Sequence, residues 1–268
     1  MSTTQDHDNP YAPPKAAVLE PASQSGTLIP DGQKVATGRG VAWYGEAWKL
    51  FTAAPGTWVL IFIVFMLLSF VVAIVPFIGS LAINICYPIV AGGLMLGCRS
   101  IEDGNGLTVG HMFEGFKKNA GNLALVGVLY LVGTMLIGLF IGIGAAILIP
   151  ALALSGAVNP NDVSSLLTLV PVVILIVLVA LALMLPLFMA IWFAPALVVF
   201  HDVQPMAAMK MSFQGALKNI VPFLVYGIVG FALAIVAVIP LGLGMLVWAP
   251  LLWASIYTSY RDIYLKRA

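Results

Sequence analysis

The sequence predicts an all-α polytopic membrane protein of six transmembrane helices, arranged as three repeats of an interfacial amphipathic helix followed by a helical hairpin. Three observations carry this. The 268 residues are 61% hydrophobic and 9% charged, with a mean hydropathy of +1.05, whereas a soluble chain is about 25% charged. The charges are segregated: Leu50 to Cys98 and Asn219 to Tyr260 hold no Asp, Glu, Lys or Arg, and Asn119 to His201 holds only Asp162. Each of these stretches exceeds the length of one crossing, which needs about 20 apolar residues. Finally, a short pattern of Phe, Gly, Lys and Asn recurs ahead of the apolar runs.

Taken in order, residues 1–40 are polar and rich in Pro, Ala, Ser and Gly. Such a composition buries too little apolar area to offset the entropy of ordering, which predicts a disordered cytoplasmic tail. The start lacks the shape of a signal peptide, so the first apolar segment should remain as an uncleaved anchor. Residues 41–268 form the membrane domain. Val41 to Ala54 places Trp43, Ala47, Leu50 and Phe51 among Glu46 and Lys49, an apolar stripe suited to a helix lying in the interface. Spans follow at about 57–75, 77–98, 122–149, 168–199, 220–239 and 241–260. The breaks between them fall at Pro76-Phe77-Ile78-Gly79, at the polar run Ser155 to Ser165 and at Pro240-Leu241-Gly242, all turn or loop chemistry. The middle hairpin is longer than its neighbours, so its helices must tilt, kink at Pro171 or Pro186, or project beyond the bilayer.

Orientation comes from the distribution of Lys and Arg in short loops. The connections after spans one, three and five hold neither, and all 12 basic residues fall on the other side. An even number of crossings with both termini in the cytoplasm produces that pattern.

The repeat is read from Phe113-x-Gly115-x-x-Lys118-Asn119 and Phe213-x-Gly215-x-x-Lys218-Asn219, with Trp48 and Ala54 at the equivalent places of a degenerate first copy. The second helix of each hairpin carries an aligned proline: Pro88, Pro195 and Pro250. Each is expected to kink its helix, since proline removes one backbone bond and crowds the preceding turn.

Several stretches carry a resemblance. They are His201-Asp202-Val203-Gln204-Pro205, Ala208-Met209-Lys210-Met211-Ser212-Phe213 and Leu217-Lys218-Asn219-Ile220-Val221-Pro222-Phe223, with Gly93 to Arg99, Phe113-Glu114-Gly115-Phe116 and the ending Tyr257 to Tyr264. Over roughly residues 43–264 the chain resembles a family of uncharacterised proteobacterial six-helix inner-membrane proteins. That resemblance implies a bacterial inner (plasma) membrane location and carries no catalytic residues with it. The plan of amphipathic helix plus hairpin is also distantly similar to the membrane domain of some glycerophosphodiester phosphodiesterases, although no phosphodiesterase domain accompanies it here.

The candidate chemistry is sparse. His111 and Glu114, one helical turn apart, could join His201 in an N/O metal site if the second and third repeats adjoin, but no recognised ligand motif is present. Solvated interfacial residues and caps are the plainer reading, and the expectation is no catalytic residue, no metal and no cofactor. No ionisable group sits at mid-membrane depth, which disfavours ion-coupled transport. Asn84 is the clearest polar residue inside a span. Gly93-x-x-x-Gly97 and Gly138-x-x-x-Gly142 allow close helix approach, within the chain or between copies. Cys86 and Cys98 are too few for a disulfide framework, and a net charge of +1 without a basic stripe gives no reason to expect nucleic-acid binding. Asn9 to Pro14 has the composition of a polyproline ligand within the tail.

Membrane lipid is the expected partner, together with other membrane proteins or a second copy. Phe113, Phe116, Lys117, Lys118, Lys210, Phe213 and Lys218 are the expected lipid contacts, with aromatic rings at headgroup depth and lysines facing anionic lipid. The function expected is a non-enzymatic scaffold or envelope accessory acting through lipid and protein contacts. The alternative is a small permease or channel for a neutral or amphiphilic solute.

Overall fold

The computed structural model describes residues 26–156, 165, 167 and 169–266. Most of the predicted tail, with Asn9 to Pro14, and most of the polar run after Ser155 therefore lie outside the described residues. The fold is helical, with ten helices among the described residues: α1 (Arg39–Ala53), α2 (Pro55–Ala73), α3 (Ile78–Glu102), α4 (His111–Lys117), α5 (Ala120–Leu154), α6 (Leu169–Trp192), α7 (Ala194–His201), α8 (Pro205–Lys218), α9 (Ile220–Val238) and α10 (Met245–Tyr264).

Among the described residues five stretches are long and apolar enough to cross a bilayer: α2, α3, most of α5, α6 continued through α7, and α9. The sixth predicted span corresponds to α10, which begins four residues later than expected and runs on through Arg261 and Asp262. It is less apolar than the other five because its second half carries Ser255, Tyr257, Thr258, Ser259, Tyr260, Arg261 and Asp262. Trp253, Ala254, Ser255, Tyr257, Thr258, Ser259 and Tyr260 are all buried there. A helix whose neighbours are protein has no need of a lipid-like surface.

Proline marks several helix starts. Pro55 opens α2 directly after Ala54 leaves the helical region, and Pro205 opens α8. A missing N–H costs nothing at that position. The two short hairpins turn tightly where predicted. A side chain at Gly79 would strike the Val72 carbonyl, and one at Gly244 would press on the Ala237 backbone.

The short helices pair with the spans in a consistent way. α4 packs on α3, α8 packs on α6 and α7, and α1 packs on α10 and α9. The α1 stripe predicted from Trp43, Ala47, Leu50 and Phe51 therefore faces protein instead of lipid: all four are buried, and the Trp43 ring lies 5.2 Å from that of Phe223. Periodicity reports which face is apolar and not what covers it.

Residues 26–38 differ from expectation. They belong to the predicted tail of residues 1–40, yet they run beside the end of α10. Ile29 N–H donates to Tyr264 O, Gln33 N–H to Ile263 O and Lys266 N–H to Thr27 O, with an antiparallel bridge between Leu28 and Leu265. The segment offers little apolar area of its own, and the backbone bonds that order it come from residues 263–266.

The core is concentrated at the end of the bundle that carries the basic residues. Toward the other end α5 and α6 are largely bare: Met135, Leu136, Phe140, Ile147, Leu175 and Leu181 are all more than half exposed. At 35 residues, α5 is roughly 52 Å long, beyond the ~30 Å hydrocarbon core.

Candidate functional site

At the basic end, α1, α3 and α10 are joined by an ion-pair chain. Arg39 Nε reaches Asp262 Oδ2 at 2.5 Å and its Nη2 reaches Glu46 Oε1 at 2.6 Å. Arg261 pairs with Glu46 Oε2 at 3.0 Å and with Glu102. The Tyr257 hydroxyl donates to Glu102 at 2.7 Å, and the Trp43 indole N–H donates to Asp262 at 3.0 Å. Burial alone would lower the Arg39 pKa, but its hydrogen bonds to Asp262 and Glu46 outweigh that and raise it. With a raised folded-state value, this contribution is fully present below the ordinary arginine value. It is lost only in strong alkali, as pH passes the folded value.

The predicted lipid-contact residues divide. Phe113 and Phe116 are 41% and 46% exposed, on the side of α4 adjoining the buried Met112 and Gly115. Lys117, Lys118 and Lys210 are exposed, and Phe213 is half-buried. Lys218 is exposed too, but its ammonium is engaged: Nζ donates to the Asp31 and Gly32 carbonyls at 2.9 and 3.4 Å. The neighbouring Asn219 accepts from Val35 N–H and donates to Gln33 O, which fastens residues 31–35 to the start of α9. The aligned Asn119 donates instead to Asp202 and to the Val198 carbonyl of α7.

The three residues considered for a metal do not meet. His111 Nε2 lies 3.9 Å from Glu114, while its Nδ1 is engaged by Thr108. His201 is held by the Tyr260 hydroxyl at 2.6 Å. Among the described residues no three His, Cys, Asp or Glu side chains cluster as a metal would require.

The glycine motifs also divide. Side chains at Gly93 and Gly97 would strike His111 and Leu107, so this pair lets α4 and its preceding loop lie on α3. Gly138 and Gly142 meet nothing within 4 Å. Of the aligned prolines, Pro88 and Pro250 sit inside continuous helices, and the helix is divided at Pro195. There the Ser212 hydroxyl of α8 donates to Met189 O and accepts from Phe193 N–H, at 2.7 and 2.9 Å. A side chain thus stands inside the backbone ladder one turn before the proline, a recognised cause of bending. Sequence reasoning located the proline but not the serine.

Two hollows lie deeper. A cavity of about 290 Å³ between α3, α6, α7 and α10 is lined by Asn84, Tyr87, Tyr130, Trp192, Pro195 and Trp253 among others. The buried Trp192 indole N–H has no hydrogen-bond partner among the described residues, an arrangement that costs about 1–3 kcal/mol for a neutral group. A second, almost wholly apolar groove of about 210 Å³ lies between α2, α3 and α4, lined by Phe65, Leu68, Val72, Val90, Phe113 and Phe116 among others. Ile83 and Tyr87 line both.

The chain is similar to a Burkholderia thailandensis protein named as a probable inner membrane protein. The two are 28% identical over 255 residues, covering 86% of this chain and 93% of that protein. No family model matches the sequence, and no solved structure matches it.

Proposed function

We propose that this chain is a six-span inner-membrane protein with both termini in the cytoplasm, built from three copies of a short helix plus a hairpin. α10 is the sixth crossing. Support comes from the pairings described above: the short helix of each copy lies on the second helix of the copy before it, and α1 closes the circuit on α10. The inner-membrane assignment rests on the similar protein's printed name and on the five apolar helices. Reporter fusions at Asn105, at Gln204 and after α10 are expected to read as cytoplasmic, and one at Asn159 as external. A cytoplasmic signal at Asn159 would break the six-span reading.

The protein acts, in this reading, as a scaffold or envelope accessory through contacts with lipid and with other membrane proteins or itself, and catalyses no reaction. The carrying observation is α4, whose inner face is fixed to α3 while Phe113, Phe116, Lys117 and Lys118 remain exposed. Lysines near an anionic surface contribute about 1 kcal/mol each. Changing Lys117, Lys118 and Lys210 to Gln is expected to weaken binding of anionic lipid to the purified protein by more than tenfold at low salt, with thermal stability in detergent unchanged. Affinity that is insensitive to both salt and these substitutions would remove the reading. Lys218 is left out because its ammonium holds the N-terminal segment.

A second reading, a permease for a neutral or amphiphilic solute, is favoured by the cavity beside Asn84 and Pro195. The two readings part on solute flux in proteoliposomes.

A further inference from the structure

We propose that the central cavity and the lateral groove are two halves of one binding site for a single-chain amphiphile with an uncharged, hydroxyl-bearing head group. The head lies in the cavity, the acyl chain lies in the groove, and Tyr87 stands at the junction.

The two hollows share Ile83 and Tyr87 as common wall, so a molecule occupying one meets the other at those side chains. Tyr87 is 37% exposed and stands between the two. The walls differ in chemistry as the two parts of an amphiphile do. The groove offers methyl, thiol and ring surface, with only Ser69 and Tyr87 bearing hydroxyls. The cavity gathers Asn84 with Tyr87, Tyr130, Trp192 and Trp253, the four aromatic residues each an apolar body with a polar tip.

The polar tips specify the head group. Trp192 belongs to the cavity wall and its Nε1 is a donor without a partner among the described residues, so a ligand oxygen brought to it would complete the pair, an indole N–H having no acceptor role. Asn84 spends its Nδ2 on the Ser80 carbonyl at 2.8 Å, which leaves its Oδ1 to accept from a ligand hydroxyl. Among the described residues no Asp, Glu, Lys, Arg or His lines either hollow. A phosphate or carboxylate would be buried there without a counter-ion, so the site selects against charged lipids. A glycerol-type head bearing ester and hydroxyl oxygens satisfies both requirements.

The test uses the full chain in nanodiscs of zwitterionic lipid and a monoacylglycerol carrying a photoreactive diazirine in its chain. Labelling is expected to be saturable, to map to peptides containing Phe65 to Val72 and Ala82 to Val90, and to be competed by unlabelled monooleoylglycerol. Lysophosphatidic acid of the same chain length should compete poorly. Trp192→Phe keeps an aromatic ring at the position but removes the N–H together with the five-membered half of the indole, and it is expected to weaken competition at least about five- to tenfold, the scale of one hydrogen bond. Ala91→Trp, which fills the cavity, is expected to abolish saturable labelling while the protein stays monodisperse. The proposal is overturned if labelling is unsaturable and spread over the bare faces of α5 and α6, if the anionic competitor works equally well, or if Trp192→Phe and Ala91→Trp both leave it unchanged. Occupancy alone is measured, so failure here leaves the lysine-dependent lipid reading intact, and the converse also holds.

Discussion

Arg39→Met is expected to lower the stability of the detergent-solubilised protein by about 2–3 kcal/mol, read as unfolding by SDS titration or as a fall in melting temperature. Removing one member of a buried ion pair costs about 3–5 kcal/mol, and the figure is reduced here because the Arg39 side chain is still 24% exposed. The loss falls mainly on Asp262, whose side chain is 8% exposed and would keep the Trp43 indole as its donor on α1. The double change Arg39→Met with Asp262→Leu should recover most of the loss, because exchanging a whole buried pair for apolar groups is often neutral. If the double variant is as unstable as the single, the pair is not what joins α1 to α10.

Gly115→Val should separate α4 from α3, with a cost of about 2–3 kcal/mol, the upper part of the range for overpacking. Even the first carbon of a new side chain would collide with the Ile89 carbonyl. Backbone of a packed helix has little room to yield. Gly138→Val makes the comparison, since nothing lies within 4 Å of the new carbon, and it is expected to leave stability unchanged in the isolated protein. Equal effects at the two positions would mean that helix propensity, not close approach, dominates. The readout beyond stability is lipid association, which should fall for Gly115→Val as Phe113 and Phe116 lose their fixed orientation.

Much of the fold was legible because the hydrophobic segments are long and their breaks carry turn chemistry. The segments at 57–75 and 220–239 lie within two residues of Pro55–Ala73 and Ile220–Val238. Legibility fails where a residue's partner is remote in sequence. The charged end of α10 reads as the end of a span. Asp262 is tolerated there because Arg39 lies 223 residues away in the chain and beside it in space. The segment 26–38 reads as tail for the same reason. The metal-site candidates were legible as residue types but not as neighbours, and the structure gives His201 to Tyr260. Asn84 and Pro195 were both singled out from sequence, and both line the central cavity. Its unsatisfied donor, Trp192, was not, because a tryptophan in an apolar run gives no sign of whether its N–H is paired.

The seat of α1 on α10 has a consequence for biosynthesis. α1 leaves the ribosome early, but its docking surface is the last helix of the described chain, roughly 190 residues later. At 5–20 residues per second that is an interval of about 10–40 s. Until α9 emerges, Trp43 and Tyr44 lack the rings of Phe223 and Tyr226 that cover them, and the nascent chain must park that face in the membrane surface or on an insertion factor. Ring closure is then a late event that ties α1 to α9 and α10, and a ribosome stalled before those helices leaves a product with α1 unhoused.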